Sequence, residues 1–220
     1  MPRDDFGVLA GYVSGPAAAT EATAVALARA DGASAVILVE GISDQIAVET
    51  VAARRGLDLG ALGVVVVPTG GAHGFARYAR RFGPAGAGLR LAGLCDAAEE
   101  GVIRRGLTAA GAGSPRTRAD LARAGFHVCD ADLEEELIRA AGTVMVEELF
   151  RAHGDLAAFR TMQRQPAWRE KPAQAQARRF LGAGSRRKLR YARLLAGAID
   201  LSQLPGPLDA LLTDVRPARR

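Results

Sequence analysis

Four short apolar runs, each followed by a glycine-rich turn or an acid, constrain this chain more than any other feature. They are Ala35–Val39, 64–67, 89–94 and Phe126–Cys129, all rich in Val, Leu and small residues. Runs of this length with polar or glycine flanks read as buried strands. Helical patterns fill the gaps between them. Residues 16–30 are Ala-rich and close on Asp31-Gly32. A second helix is capped by Ser43, carries Asp44 in its first turn, repeats Ile46, Ala47, Thr50 and Val51 at helical spacing and ends at Gly56. Further helices are predicted over 75–82, 97–105 and 116–124, with 106–115 as loop. Strands that alternate with helices form a parallel, doubly wound sheet with right-handed crossovers. Past Asp132 every pattern is helical: 132–141, 143–153, 155–163, 173–182, 185–197 and 207–214. The fold class expected is therefore α/β, a Rossmann-like parallel sheet of about four strands with an α-helical C-terminal extension. The divisions expected are a helical segment over 1–33, a sheet domain over 34–150 and a basic helical region over 151–220.

Sheets of this kind build their sites at the carboxyl ends of the strands. Glu40, Gly70, Gly71, Asp96 and Asp130 all fall just past such ends. The charge distribution fits that placement. Residues 91–150 carry eleven acids against six Arg, and residues 151–194 carry twelve Lys plus Arg against two acids, within a chain of net charge +5. A site that holds cations and grips phosphates needs such a division; two solvated helical faces would produce it too. Two cysteines, Cys95 and Cys129, exclude a disulfide scaffold and a four-cysteine zinc site. His73, His127 and His153 show no ligand spacing. The start, Met1-Pro-Arg-Asp-Asp-Phe, lacks a signal-peptide pattern, and no apolar run could cross a bilayer, so a cytoplasmic protein is expected.

Acids at several strand ends point to hard divalent cations, which prefer carboxylate and water oxygens. Glu40 and Asp44 are four residues apart, so an Asp44 in the first helical turn can face the same point as Glu40, with Gly41 allowing the turn between them. The plainer reading is a strand that ends on Glu40 by chance and a helix with an N-terminal acid.

Together these elements resemble the Toprim fold of primases, topoisomerases and OLD-family (overcoming lysogenisation defect) nucleases. The resemblance is carried by Glu40-Gly41-Ile42-Ser43-Asp44 after the first strand, Gly70-Gly71 after the second and Cys95-Asp96-Ala97-Ala98 after the third. It extends furthest toward OLD-type nucleases through Leu133-Glu134-Glu135-Glu136-Leu137 and a late Lys188-x-x-Tyr191-Ala192-x-x-Leu195 helix, so that it spans about 34–197. It implies Mg²⁺ or Mn²⁺, two ions, and hydrolysis of nucleic-acid phosphodiesters, with DNA favoured over RNA. Residue by residue, it makes Glu40 and Asp44 ligands or positioners of the attacking water and Asp96 a central ligand. Glu134 and Glu136 would complete a second metal site, with Lys188 neutralising charge on the phosphorane. Gly70, Gly71, Arg187 and Tyr191 would then contact substrate. A catalytically impaired module that binds nucleic acid or nucleotide is the alternative.

Two departures qualify the resemblance. The family's Asp-x-Asp after the third strand is Asp96-Ala97-Ala98 here, so Glu99 would have to substitute, or one metal site is weakened. No Gly-x-x-x-x-Gly-Lys-Ser/Thr motif is present, so any ATP dependence calls for a separate ATPase partner; a homodimer is possible. Asp130-Ala131-Asp132 offers another Asp-x-Asp, although Asp132 also suits a helix cap. The stretch from Phe159 to Arg169 interleaves aromatics, amides and Arg, which suits either phosphate contacts with base stacking or a surface turn with Trp168 packed on the core.

Overall fold

The computed structural model describes residues 5–13, 15 and 17–216. Its sheet has four parallel strands in the order β2-β1-β3-β4: β1 (Ala35–Val39), β2 (Val64–Pro68), β3 (Arg90–Asp96) and β4 (Phe126–Cys129). The eleven helices among the described residues are α1 (Asp5–Val8), α2 (Ala18–Ala30), α3 (Ile42–Arg54), α4 (Ala72–Phe82), α5 (Glu100–Ala109), α6 (Arg118–Arg123), α7 (Leu133–Ala152), α8 (Leu156–Gln163), α9 (Ala173–Gly182), α10 (Ser185–Ala198) and α11 (Gly206–Asp214). The parallel α/β sheet and the helical C-terminal extension expected from the sequence are thus both present.

Strand alternation divides the core in two. Val36, Leu38, Cys95 and Phe126 face one side, where they meet Phe75, Tyr78 and Phe82 of α4, Leu107 of α5 and Leu121 of α6. Ile37, Val39, Leu94 and Cys129 face the other. There they join Val48 and Val51 of α3 with the apolar stripes of α7 to α11. Helices from 151–220 therefore pack on the sheet through the same core as α3. At the centre of this layer Phe150 meets Phe159, Phe180 and Tyr191 with ring centroids 4.8, 5.1 and 5.1 Å apart.

Local boundaries differ from expectation where backbone geometry overrides pattern. The α3 cap is Gly41, two residues earlier than Ser43, because the extended Gly41 lets the chain turn straight off β1. Helix α5 runs through Gly106 to Ala109 instead of ending there, since Leu107 and Ala110 are fully buried and draw the helix onward. The two helical patterns over 132–153 form α7, kinked at Gly142, whose φ of 72° only glycine adopts readily. No described helix is long and apolar enough to cross a membrane.

Candidate functional site

Each functional side chain reaches the carboxyl edge of the sheet for a local reason. Glu40 directly follows β1, and Asp96 is the last residue of β3, the neighbouring strand. Asp44 occupies the third position of α3 and accepts a 2.9 Å hydrogen bond from the Gly41 N–H, which fixes its carboxylate over the strand end. Gly70 and Gly71, at φ 74° and 97°, turn the chain after β2. Both of their N–H groups donate to the Glu40 carbonyl, at 3.0 and 3.1 Å. The Gly-Gly turn thus anchors the Glu40 backbone, and its amides are already engaged before any phosphate arrives.

Across from this edge stands the N-terminus of α7. Asp132 caps it through a 2.7 Å bond from the Glu135 N–H to Oδ1, while Oδ2 takes a forked pair of bonds from Arg178 of α9. Capping, one of the two sequence readings of Asp132, is therefore correct, and the same residue also borders the site. Glu134 follows one helical step later. Lys188 of α10 completes the wall. Glu40, Gly41, Ser43, Asp44, Gly70, Gly71, Asp96, Asp132, Glu134 and Lys188 together line one cavity of about 420 Å³.

The electrostatics of this cavity are those of crowded carboxylates. Burial, then the Glu40, Asp44 and Asp132 charges, push Asp96 up to about 7, and Asp96 shares a side-chain hydrogen bond with Glu40. Burial raises Asp44 to about 6 against the opposing pull of the Gly41 N–H and Lys188. Glu134 rises to about 7, again by burial first, with Lys188 and Arg178 pulling it down. Five carboxylates therefore face two cations, Lys188 and Arg178. Such a site lacks positive charge.

Hydrated divalent cations fit this donor set. Every acidic donor is a hard oxygen, and among the described residues no three acids, histidines or cysteines are drawn together as a ready-made cage. Mg²⁺ takes one or two carboxylates and keeps several waters.

Several residues expected here lie elsewhere. Glu136 is 3 % exposed and accepts a 3.0 Å bond from the Asp130 N–H while pairing with Arg139. At 100° per residue, Glu134 and Glu136 diverge by about 200° and cannot face one point. Glu99, at the end of a short 3-10 turn (Ala97–Glu99), is not among the residues lining the cavity. Tyr191 is 1 % exposed, and its hydroxyl donates to Asp155 at 2.9 Å inside the core, beside the buried Arg190–Asp155 pair. Arg187 lies 4.1 Å over the Phe180 ring and donates to the Phe180 carbonyl at 3.0 Å, closing the end of α9. Asp130 is exposed and pairs with Arg118 at 3.4 Å. Sequence reasoning missed Arg178 altogether, because nothing local ties a mid-helix arginine to an aspartate 46 residues earlier.

Residues 33–97 match the family model described as overcoming lysogenization defect protein-like, TOPRIM domain. This stretch is similar to an OLD-like Toprim domain. The matched stretch contains Glu40, Asp44, Gly70, Gly71 and Asp96, whereas Asp132, Glu134 and Lys188 fall beyond it. Solved structures extend the likeness in fold. The C-terminal region of the Xanthomonas campestris pv. campestris OLD protein is similar over 85 % of this chain and 94 % of its own, at 22 % identity and a TM-score of 0.64. The C-terminal region of the Burkholderia pseudomallei OLD protein is similar over 83 % and 97 %, at 21 % identity and a TM-score of 0.63. No curated protein matches the chain by sequence. Toprim domains generally bind divalent metal ions, and the family match supports a function of the Toprim type, directed at nucleic acid.

Proposed function

We propose that the protein is a metal-dependent nuclease that hydrolyses phosphodiester bonds, DNA ahead of RNA, with two divalent cations, Mg²⁺ or Mn²⁺, in the acidic cavity. The observation that carries this reading is the convergence of Glu40, Asp44, Asp96, Asp132, Glu134 and Lys188 on one cavity from four separate elements and two loops.

Glu40, Asp44 and Asp96 would hold one cation at the sheet edge, and Asp132 with Glu134 would hold the other at the start of α7. When bound, the cations supply Lewis acidity to the attacking and leaving oxygens of an in-line displacement. The chain's own groups do the rest. The Glu40 carboxylate, steadied through its carbonyl by Gly70 and Gly71, accepts a hydrogen bond from the attacking water and orients it. The Lys188 ammonium faces Asp44 and Glu134 and meets the charge that grows on the non-bridging phosphate oxygens. Asp132 takes the place that the sequence reading gave to Glu99 and Glu136.

Supercoiled plasmid incubated with the protein and Mg²⁺ or Mn²⁺ should be nicked or linearised, and Glu40→Gln should lower that rate at least about 100-fold. If the wild type cuts neither plasmid DNA nor single-stranded RNA with either metal, the nuclease reading is lost. Ala98 in place of the family's second acid favours the alternative, a Toprim module that binds nucleic acid or nucleotide without cutting it; binding without cleavage is its signature.

A further inference from the structure

The turn between α8 and α9 is built in a way the cavity does not explain. Trp168, the single tryptophan of the chain, is half-buried yet belongs to none of the hydrophobic clusters among the described residues. A tryptophan serving only as a core plug would sit with Phe159 and Phe180 a few residues away. Instead the turn is held from beneath by amides. The Gln163 side chain donates to Gln176 at 2.6 Å, and Gln176, 5 % exposed, donates to the Trp168 carbonyl at 2.7 Å. The Arg179 guanidinium lies 5.8 Å from the indole centroid. Arg164, Arg169, Lys171 and Arg179 are all exposed around it, with Glu170, paired to Arg169 at 3.3 Å, as the one acid in the turn.

Helix α9 links this turn to the cavity. Consecutive residues on a helix point 100° apart. Arg178 turns to Asp132 on the cavity wall, and Arg179 turns to Trp168. Two consecutive residues of α9 therefore link the indole to the wall of the acidic cavity.

We propose that the Trp168 turn is a stacking platform for single-stranded nucleic acid, seating an unpaired base on the indole while Arg179, Arg169 and Lys171 take its phosphates and lead the strand to the cavity. This rests on the nuclease reading and names the form of substrate that reaches it. An aromatic face ringed by cations is sequence-tolerant, because every base has a π face, and a stacked base must first be free of its duplex partner. A duplex would offer the turn its phosphates alone.

The test uses wild-type protein with EDTA, so that nothing is cut, titrated with a 16-nucleotide oligothymidylate and with the same strand in duplex. Tryptophan emission reports Trp168 alone. The single strand should quench it to saturation, with a midpoint equal to that from the anisotropy of a labelled strand; the duplex should quench weakly. Trp168→Ala should weaken single-strand binding about tenfold and raise KM while kcat stays within about twofold, with Trp168→Phe intermediate. Arg179→Gln should lower the salt dependence of binding by about one counterion, a second readout should Trp168→Ala fail to fold. The proposal is overturned if the single strand fails to bind at low salt, if it binds without changing Trp168 emission, or if the duplex binds and quenches equally. Continued plasmid cutting with an unresponsive Trp168 would remove this platform and leave the nuclease reading standing. Loss of all wild-type cutting removes that reading instead.

Discussion

The two halves of the acidic cavity are held by opposite means. At the sheet edge, backbone geometry holds the acids: Asp44 by the Gly41 N–H, Glu40 through its carbonyl by Gly70 and Gly71, and Asp96 by its place as the last residue of β3. At the start of α7, the acids are arranged by cations from the last third of the chain: Asp132 by Arg178, and Glu134 facing Lys188. The first half is local and the second is tertiary. Glu134 and Glu136 show what that difference means, since two residues of one helix send one carboxylate into the cavity and the other, buried, to the Asp130 N–H and the half-exposed Arg139.

That contrast breaks most sharply at those two glutamates. Glu134→Gln should cut plasmid nicking at least about tenfold while thermal stability holds or rises, because a carboxylate that burial disfavours is removed. Glu136→Ala should do the reverse. It leaves the Asp130 N–H without its acceptor and costs about 1–3 kcal/mol of stability, with cleavage per folded molecule kept. In a chain of this size that is a fall of about 2–4 °C in Tm for each kcal/mol. Equal effects of the two substitutions on nicking would show that the helix phase does not sort them.

Arg178 sharpens the comparison from the cation side. Removing a positive charge beside a cation site tightens metal binding if charge alone matters. If Arg178 instead orients Asp132, Arg178→Met should weaken Mn²⁺ binding about tenfold by calorimetry, and Arg178→Lys, which keeps the charge without the fork, should recover little. Tighter binding in Arg178→Met would refute the positioning role.

The smallest effect expected is a dependence on pH shared by both halves. Asp44, Asp96 and Glu134 have folded values of about 6, 7 and 7, above the ordinary 3.8 and 4.5 of the unfolded chain. Between about pH 4 and 7 the folded state therefore holds more protons than the unfolded state, so stability falls as pH rises through that window. Denaturant midpoints of the metal-free protein should decline across it, and Mg²⁺ should raise them more at pH 8 than at pH 5. A flat or rising profile would show that these acids are not crowded in solution.

The local half of this molecule was legible in its sequence. β1 and β4 were read to the residue, and Glu40, Asp44 and Asp96 were placed together because strand ends and short spacings carry that information. The limits lay where side chains are sorted by distant partners. A helical pattern shows that Lys188 and Tyr191 share a flank but not that Tyr191 turns inward to Asp155, since Asp155 stands at the start of α8, 36 residues away in sequence. The motif Leu133–Leu137 suggested two ligands where helix geometry permits one. Ser43 lost its capping role to Gly41 because a cap is chosen by the direction in which the preceding strand delivers the chain.

The joint core of the sheet and the late helices has a consequence in time. A chain made from its amino end presents Glu40, Asp44, Asp96, Asp132 and Glu134 before Arg178 and Lys188 exist. Helix α3 also lacks its main helical partner until α10 arrives, and Arg54 then donates to the Ala196 and Ile199 carbonyls at 2.7 Å. The acids can gather early, but the cations that orient and oppose them come only with α9 and α10, whose apolar stripes share the core of the sheet. Completion of the charge balance thus belongs to the packing of the late helices, and a chain cut short before α9 keeps the acids without the cations that oppose them.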